Sequence, residues 1–576
     1  MQSDSNQSNR ISNGCSCFPH IALLRRVLVL LVLSSALLTA SAQQTAPSRN
    51  ENSVATSKKF VGSEVCAQCH AEIYKSYAGT AMAQASGPAM QGLLTGEFRH
   101  IPSGVHYRVY VEDGKAWMSF ERSGENGLSG KRELLYFIGS GHRGRTYLFS
   151  VDGFVFEAPI NWYGQQQLWD MAPAYQKARE IPMNLPAVSP CLSCHTSNSQ
   201  APVAGTENKY ASPLFAHAGI TCERCHGPGS AHAEARGPLV NPIKLPPDRR
   251  DAICMQCHFE GSVAIQQPGH TIAEFQAGEN LSDYVRYYIL TGANSGRLGA
   301  LSQTQALAQS VCKQKSGDKM ACTSCHDPHS SPKQEEKVAF YRSKCLSCHG
   351  EKFGAKHKHK EPDCRVCHMP PVVTADIAHT QATDHRILRN PKMPLFTTES
   401  QTEPRLMPFP PDSGKEDTRS IALAWESLAQ DGIKNAEIES DKWLQKAVQV
   451  TPNDPGVLSA LGYVEQKRGL TQKAREHYLR ALQIDPLSNE AAINLGVIEA
   501  QAGNVKRSVE YWQGPFDRIP SRSEVGMNLT LVYCATGQLE KAQATLTQVL
   551  KFNPDLPTAR NLQRQLSDGS AKCGPY

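Results

Sequence analysis

Cysteine and histidine recur in this chain in one fixed phrase, Cys-x-x-Cys-His. It stands at Cys66/Cys69/His70, Cys191/Cys194/His195, Cys222/Cys225/His226, Cys254/Cys257/His258, Cys322/Cys325/His326, Cys345/Cys348/His349 and Cys364/Cys367/His368, seven copies that use 14 of the 19 cysteines. A Cys-x-x-Cys pair alone serves as a zinc half-site, a redox dithiol or part of a disulfide framework. None of these needs a histidine behind the second cysteine every time, and with 20 His in 576 residues chance does not supply one seven times running. The five-residue phrase is the attachment signature of haem c.

The chemistry accounts for the spacing. Two thiols add across the porphyrin vinyl groups, and the adjoining imidazole supplies the proximal iron ligand. Covalent attachment dispenses with a deep apolar pocket, so seven haems fit within residues 60–395 and form much of the core themselves. Their second axial ligands must come from elsewhere. Outside the motifs, the repeats described below and the leader, eleven histidines remain: His100, His106, His142, His217, His232, His270, His329, His357, His359, His379 and His385. The candidates for distal ligation are His142, His217, His232, His329, His357, His379 and His385. His329, in CHDPH, stands too close to His326 to serve the same iron and is expected to ligate a neighbouring haem. The first motif has no other histidine within 29 residues, which marks it as the open or Met-ligated site.

Several elements position these groups. Between the first and second motifs, VHYRVYVEDGKAWMSF and RTYLFSVDGFVFEAPI each set an Asp-Gly between apolar-rich runs, the signature of hairpins. A β-rich insert is expected over 98–165. The intervening GSGHRG (139–144) matches G-x-G-x-x-G but leads into a strand-like run, which argues against a dinucleotide site. It reads instead as a glycine loop supporting His142, Arg143 and Arg145.

After a Pro-rich stretch at 396–420 the character changes. Pro452, Pro486, Pro520 and Pro554 recur every 34 residues, the period of tetratricopeptide helix pairs. Leu461-Gly462 and Leu495-Gly496 fall on the first helix, Gly469, Gly503 and Gly537 in the turn, and Ala474, Ser508 and Ala542 at the helix crossing. Pro515 stands inside a second helix, where a break or kink is expected. The unit at 421–451 fits weakly. The repeat domain spans 421–568, with 555–568 as a capping helix and 569–576 as a tail. The fold class is therefore mainly α: a loop-rich multihaem domain with a small β-hairpin subdomain, then an α-solenoid.

Arg25 and Arg26, the apolar run 27–38 and Ala40-Ser41-Ala42 describe a secretory signal over 1–42, too short in its apolar part for a membrane span. A retained anchor is the other reading. A polar linker follows over 43–59. The protein is expected to be exported or periplasmic, with no membrane span in the mature chain. The formal charge of +6 gives no sign of nucleic-acid binding, and seven ferric haems at about −1 each would turn the mature protein slightly negative. Of the other cysteines in the mature chain, Cys534 can pair with Cys573, leaving Cys312 free.

The segments FVGSEVCAQCHAEIYKSYAGTAMA, GITCERCHGPGSAH, MACTSCHDPH and DCRVCHMP resemble the multihaem c-type cytochromes related to the nitrifier tetrahaem carrier and, more distantly, to ammonia-forming nitrite reductase and hydroxylamine oxidoreductase. The likeness spans about residues 60–390 and implies a periplasmic redox protein with closely packed haem pairs. No Cys-x-x-Cys-Lys motif, the usual catalytic attachment of the nitrite reductases, is present. Two functions follow as expectations. One is an electron carrier whose repeats dock a redox partner. The other is an oxidoreductase with one open-faced haem for a small nitrogen species or other oxyanion, bordered by His142, Arg143, Arg145 and Tyr147.

Overall fold

The alternating runs between the first two motifs build more sheet than two hairpins. In the computed structural model, which describes residues 59–124, 126–173, 175–292, 302–352, 357, 361–374, 377, 379–390, 403–411 and 417–574, nine strands lie between Ser86 and Met171. These are β1 (Ser86–Pro88), β2 (Gly96–His100), β3 (Val105–Glu112), β4 (Lys115–Arg122), β5 (Leu128–Leu134), β6 (Tyr136–Ile138), β7 (Gly144–Val151), β8 (Phe154–Tyr163) and β9 (Leu168–Met171). Residues 1–58, with Cys15 and Cys17, lie outside the described residues, as does His359. The two Asp-Gly pairs turn β3 into β4 and β7 into β8, with positive φ at Asp113, Gly114, Asp152 and Gly153, as two-residue hairpins require.

The strands form two antiparallel sheets, β2-β3-β4-β5 and β1-β6-β7-β8-β9. Val105, Tyr107, Val109, Met118 and Phe120 of the first share one core with Phe137, Tyr147, Phe149, Phe156 and Ile160 of the second. Burying each such side chain contributes roughly 1.5–3 kcal/mol before entropy is counted. Strand β8 is buried on both faces. Its outer residue Val155 joins Leu148, Ala187, Leu192, Tyr210, Leu214 and Phe215 in a second cluster, and Leu192 lies inside the second motif. The sandwich is thus the platform for that motif. Of the described residues 44% are helical, so the mainly α expectation holds only in part.

Strands β10 (Val263–Gln266) and β11 (Val285–Thr291) form a further sheet, completed by β14 (Arg405–Phe409). The Pro-rich stretch at 396–420 is therefore not wholly a linker. Pro408 is tolerated because β14 is an edge strand, where a missing N–H breaks no ladder. Strands β12 (Pro371–Val373) and β13 (Gln381–Thr383) make a small ribbon after the seventh motif.

From Thr418 the chain is helical: Thr418–Gln430 with Ala436–Val450, Pro455–Lys467 with Thr471–Ile484, Asn489–Gln501 with Val505–Arg518, Ser523–Ala535 with Leu539–Phe552, then Pro557–Ser567. The Leu-Gly step is steric. A Cβ at Gly462 would lie 2.7 Å from the Tyr478 ring, and one at Gly496 would lie 2.2 Å from Trp512. The weakly patterned first pair is complete, and Ala424, Trp425 and Leu428 pack on Val263 and Tyr288. The break expected at Pro515 does not occur; the helix runs on to Arg518. Pro515 falls near its end and costs one hydrogen bond, while burial of Pro515 and Phe516 offsets the loss.

Solenoid and sandwich belong to one unit, Phe60–Tyr576. Phe552 enters the sandwich core, its ring 5.8 Å from both Phe154 and Phe156. The Asp555 carboxylate, 3% exposed, accepts from both Arg122 Nη atoms at 2.7 and 2.5 Å and from the Ile181 amide at 2.9 Å. Lys551 reaches Asp152 at 2.7 Å, and Arg522 reaches Glu207 at 3.1 Å. Cys534 and Cys573 form a disulfide.

Candidate haem-binding sites

A single helical turn presents residues i, i+3 and i+4 on one side, which is what two thiols and an imidazole require. His70, His226 and His326 each donate their amide to the carbonyl of Cys66, Cys222 and Cys322 at 2.9, 3.0 and 3.0 Å. The second, fourth, sixth and seventh motifs end the helices Ser189–His195, Pro247–His258, Lys337–His349 and Cys364–His368.

The motifs adjoin one another. Burial, with Cys222 beside it, pushes the Cys66 thiol up to about 12. A hydrogen bond to Cys322, with burial, raises Cys254. Hydrogen bonding to Cys194 does the same for Cys257. Burial lifts Cys345 to about 11 with Cys364 alongside, and Cys348 lies near Cys325. First and third, second and fourth, fourth and fifth, fifth and sixth, and sixth and seventh motifs are thus neighbours.

Cys69 and Cys367, expected as haem anchors, stand apart from these joints, as does Cys191. Neither Cys69 nor Cys367 forms a disulfide. Cys69 is exposed just beyond the helix Ser63–Ala67, its amide donating to Cys66 O at 3.2 Å. Cys367 is half-buried within the helix Cys364–His368. Among the described contacts neither thiol reaches another motif. Cys66 and Cys364 occupy the joints with their neighbours, and Cys69 and Cys367 lie three residues further along their own motifs.

Three non-motif imidazoles face motif imidazoles. His329 lies opposite His226, ring centres 6.0 Å apart and planes 9° from parallel. His385 lies opposite His326 at 6.2 Å and 27°, and His357 opposite His368 at 6.0 Å and 77°. A ligating nitrogen lies about 1.1 Å from its ring centre and a metal–nitrogen bond is about 2.0 Å, so two rings across one iron sit about 6.2 Å apart. All three pairs meet that separation. In three of these six rings the second nitrogen is held by a backbone carbonyl, as ligating histidines require: Nδ1 of His226 with Val240 O at 2.8 Å, of His368 with Leu388 O at 2.6 Å, and of His385 with Thr383 O at 2.9 Å. Among the described residues no three His, Cys, Asp or Glu side chains converge as a zinc site would need.

The other candidates are placed differently. His217 packs on Gly62, where a Cβ would come within 2.6 Å of its ring; it therefore stands just ahead of the first motif, which sequence distance alone left without a histidine. His232 holds Gly237 O through Nδ1 at 2.8 Å. His142 is exposed in the glycine loop. His379 gives its Nε2 to Asp170 at 2.7 Å and packs edge-on to Tyr163, rather than facing a motif histidine. Both ring nitrogens of His100 are taken, by Ser103 and Gln176.

The border drawn around an open haem needs correction. Tyr147 is fully buried in the sandwich core. Arg145 packs over the Phe137 ring at 4.0 Å and donates to the carbonyls of Gly92 and Ser140. Both are structural, because β7 alternates into the sandwich. Arg143 alone lies near His258 and His385, both held below the ordinary imidazole range by desolvation first and by this charge in part.

The sequence reading missed the two residues inside CERCH. Glu223, 3% exposed, accepts from the amides of Val61 at 2.8 Å, Gly62 at 2.9 Å and Gly229 at 2.8 Å. Arg224, 5% exposed, donates to the carbonyls of Phe275 at 3.3 Å, Ser193 at 3.4 Å and Ala273 at 3.5 Å. Ser63 Oγ accepts from the Cys222 amide at 3.2 Å, and Ser76 Oγ donates to His329 O at 2.9 Å. The signal was available: no other motif in this chain carries an acid between its cysteines.

Comparisons with known proteins agree with this chemistry. Residues 165–227 match the family described as cytochrome c554 and c-prime, and residues 315–354 match the doubled CXXCH motif. A multiheme cytochrome MtrA from Shewanella baltica (strain OS185) is 26% identical over 181 residues, 29% of this chain and 54% of that protein. The chain spans about half the length of that curated relative. Among solved structures, MamA from Desulfovibrio magneticus RS-1 covers 27% of this chain and 88% of its own at 17% identity, with a TM-score of 0.24. Pseudomonas aeruginosa pilF covers 27% and 71% at 20% identity, also with a TM-score of 0.24. The chain thus carries the signals of a multihaem c-type cytochrome that binds haem c covalently.

Proposed function

We propose that the protein is an exported, periplasmic electron-transfer cytochrome carrying seven covalent haems, with a cleaved signal and a solenoid that docks a redox partner. The carrying observation is the trio of facing imidazole pairs at 6.0–6.2 Å. Iron held between two imidazoles exchanges one electron without opening a coordination position. In this reading the motif cysteines anchor each haem, Cys69 and Cys367 included, the motif histidines are proximal ligands, and His329, His385 and His357 close the distal sides of the third, fifth and seventh sites. His217 is the distal candidate for the first. Haems held by motifs that adjoin one another would lie close enough for electrons to hop between them.

A second reading, an oxidoreductase with one open haem, draws on the second motif. No second imidazole faces His195 among the described ring contacts, and the outer face of β8 beside this motif carries a polar group, Glu157, whose carboxyl burial pushes up to about 7. Low-temperature EPR of the ferric holoprotein with added nitrite, hydroxylamine or cyanide separates the two. Unchanged low-spin signals support the carrier, whereas a stoichiometric high-spin signal that shifts with ligand supports the enzyme.

A further inference from the structure

Two buried charges of opposite sign stand side by side within the third motif, each directed to a different pair of motifs. The Glu223 carboxylate lies with the first and third motifs: its three amide donors are the two residues ahead of the helix Ser63–Ala67, which carries Cys66, and Gly229 just beyond His226. Cys222 shares that joint, its amide and thiol both on Ser63 Oγ, at 3.2 and 3.4 Å. The Arg224 guanidinium lies chiefly with the second and fourth motifs, although its charge also reaches Cys225 of its own motif. Its Nη2 shares the Ser193 carbonyl with Cys257 Sγ, at 3.4 and 3.9 Å, and the neighbouring Cys194 Sγ rests on Gln256 O at 3.6 Å.

A buried charge acts on its surroundings with little screening. A carboxylate favours the more positive, oxidised state of a nearby centre, and a guanidinium favours the reduced one. We propose that Glu223 and Arg224 set a potential step inside the haem array, lowering the first and third sites and raising the second and fourth, so that electrons run from the former pair toward the latter. This rests on the reading that all four motifs carry haem. The same two residues also fix the spacing of the four motifs, so they position and tune at once.

The sign of the effect separates tuning from mere support. Loosening a haem site admits water, which lowers its potential, whereas neutralising Glu223 without changing its shape raises it. The experiment is a spectropotentiometric titration of the full-length, haem-loaded protein and its E223Q and R224Q variants, with EPR of samples poised along the titration. The third-site signal is identified as the one that His329→Ala abolishes. A pyridine haemochrome count comes first, and a parent protein short of haem refutes the functional reading rather than this inference. With the count intact, E223Q is expected to raise the potential of the third-site signal and of one further haem, and R224Q to lower two others. R224K, keeping the charge, restores the parent values. A third-site potential that stays or falls in E223Q overturns the proposal. Should R224Q not accumulate, R224K carries the second arm: values displaced as far as those of haems beside a lost charge would contradict it.

Discussion

Replacing Asp555 by alanine perturbs the clasp between solenoid and sandwich at one carboxylate. That group holds Arg122 through two bonds of 2.5 and 2.7 Å, and its own exposure is 3%. Removing one partner of a buried pair costs about 3–5 kcal/mol, because the other charge is left buried and unpaired. The Ile181 amide, bonded to the same carboxylate at 2.9 Å, loses its acceptor as well, worth about 1–3 kcal/mol where water cannot replace it. These costs overlap, since relaxation at one relieves the other, and a loss of about 4 kcal/mol is expected. Arg122→Met alone should cost less, because Arg560 still donates to the Asp555 carboxylate at 3.2 Å. The double change Arg122→Met with Asp555→Leu removes both charges and should recover about 2–3 kcal/mol of the summed single losses. The assay is urea denaturation of the haem-loaded protein, followed by far-UV circular dichroism for the helices and by tryptophan fluorescence. In the parent the two probes should coincide, and in Asp555→Ala the helical signal should melt first. Additive single and double losses, or an Asp555→Ala midpoint equal to the parent's, would refute the clasp.

Other outcomes follow from the same geometry. Parallel imidazole planes split the iron dxz and dyz levels and perpendicular planes leave them nearly equal, so the 9° pair His226/His329 should give a rhombic low-spin EPR signal. The 77° pair His357/His368 should give a highly anisotropic one. His385→Ala should convert one haem to high spin, whereas His379→Ala, which loses only its contacts to Asp170 and Tyr163, should convert none. Glu157 supplies a pH test. With its folded carboxyl near 7 and its unfolded value near the usual 4.3, the folded state holds the extra proton between those values. Stability should then fall as pH rises from about 4.5 to 7, by about 3 kcal/mol at most. Glu157→Gln should flatten that slope in denaturation midpoints taken across the range.

Much of the attachment chemistry was legible because it is local: two thiols and an imidazole within five residues need one helical turn and nothing else. Which thiol of a motif meets its neighbour was not, since Cys66 and Cys69 read alike in sequence and differ only in what packs beside them. Distal pairing was legible only where spacing forbids an alternative. His329, three residues beyond His326, had to look elsewhere, yet its position opposite His226 depends on contacts such as Ser76 to His329 O across 253 residues. The hairpins at Asp113-Gly114 and Asp152-Gly153 announced themselves through turn chemistry. The sandwich they belong to did not, because β1 and β9 are only 3 and 4 residues long and carry too little alternation to register. Strand β14 was hidden by its prolines, which an edge position tolerates. Arg145 and Tyr147 looked functional beside a glycine loop, and the register of β7 turned them into packing. Glu223 and Arg224 stood in plain view within CERCH, but their partners lie up to 162 residues away.

The central claim, a seven-haem carrier with bis-histidine sites, is tested most directly by a pyridine haemochrome count joined to low-temperature EPR of the ferric holoprotein. Seven haems per chain are expected, one for each motif, with low-spin signals that include a rhombic and a highly anisotropic component. A count well below seven, or a spectrum dominated by high-spin iron that responds to nitrite or cyanide, would contradict it.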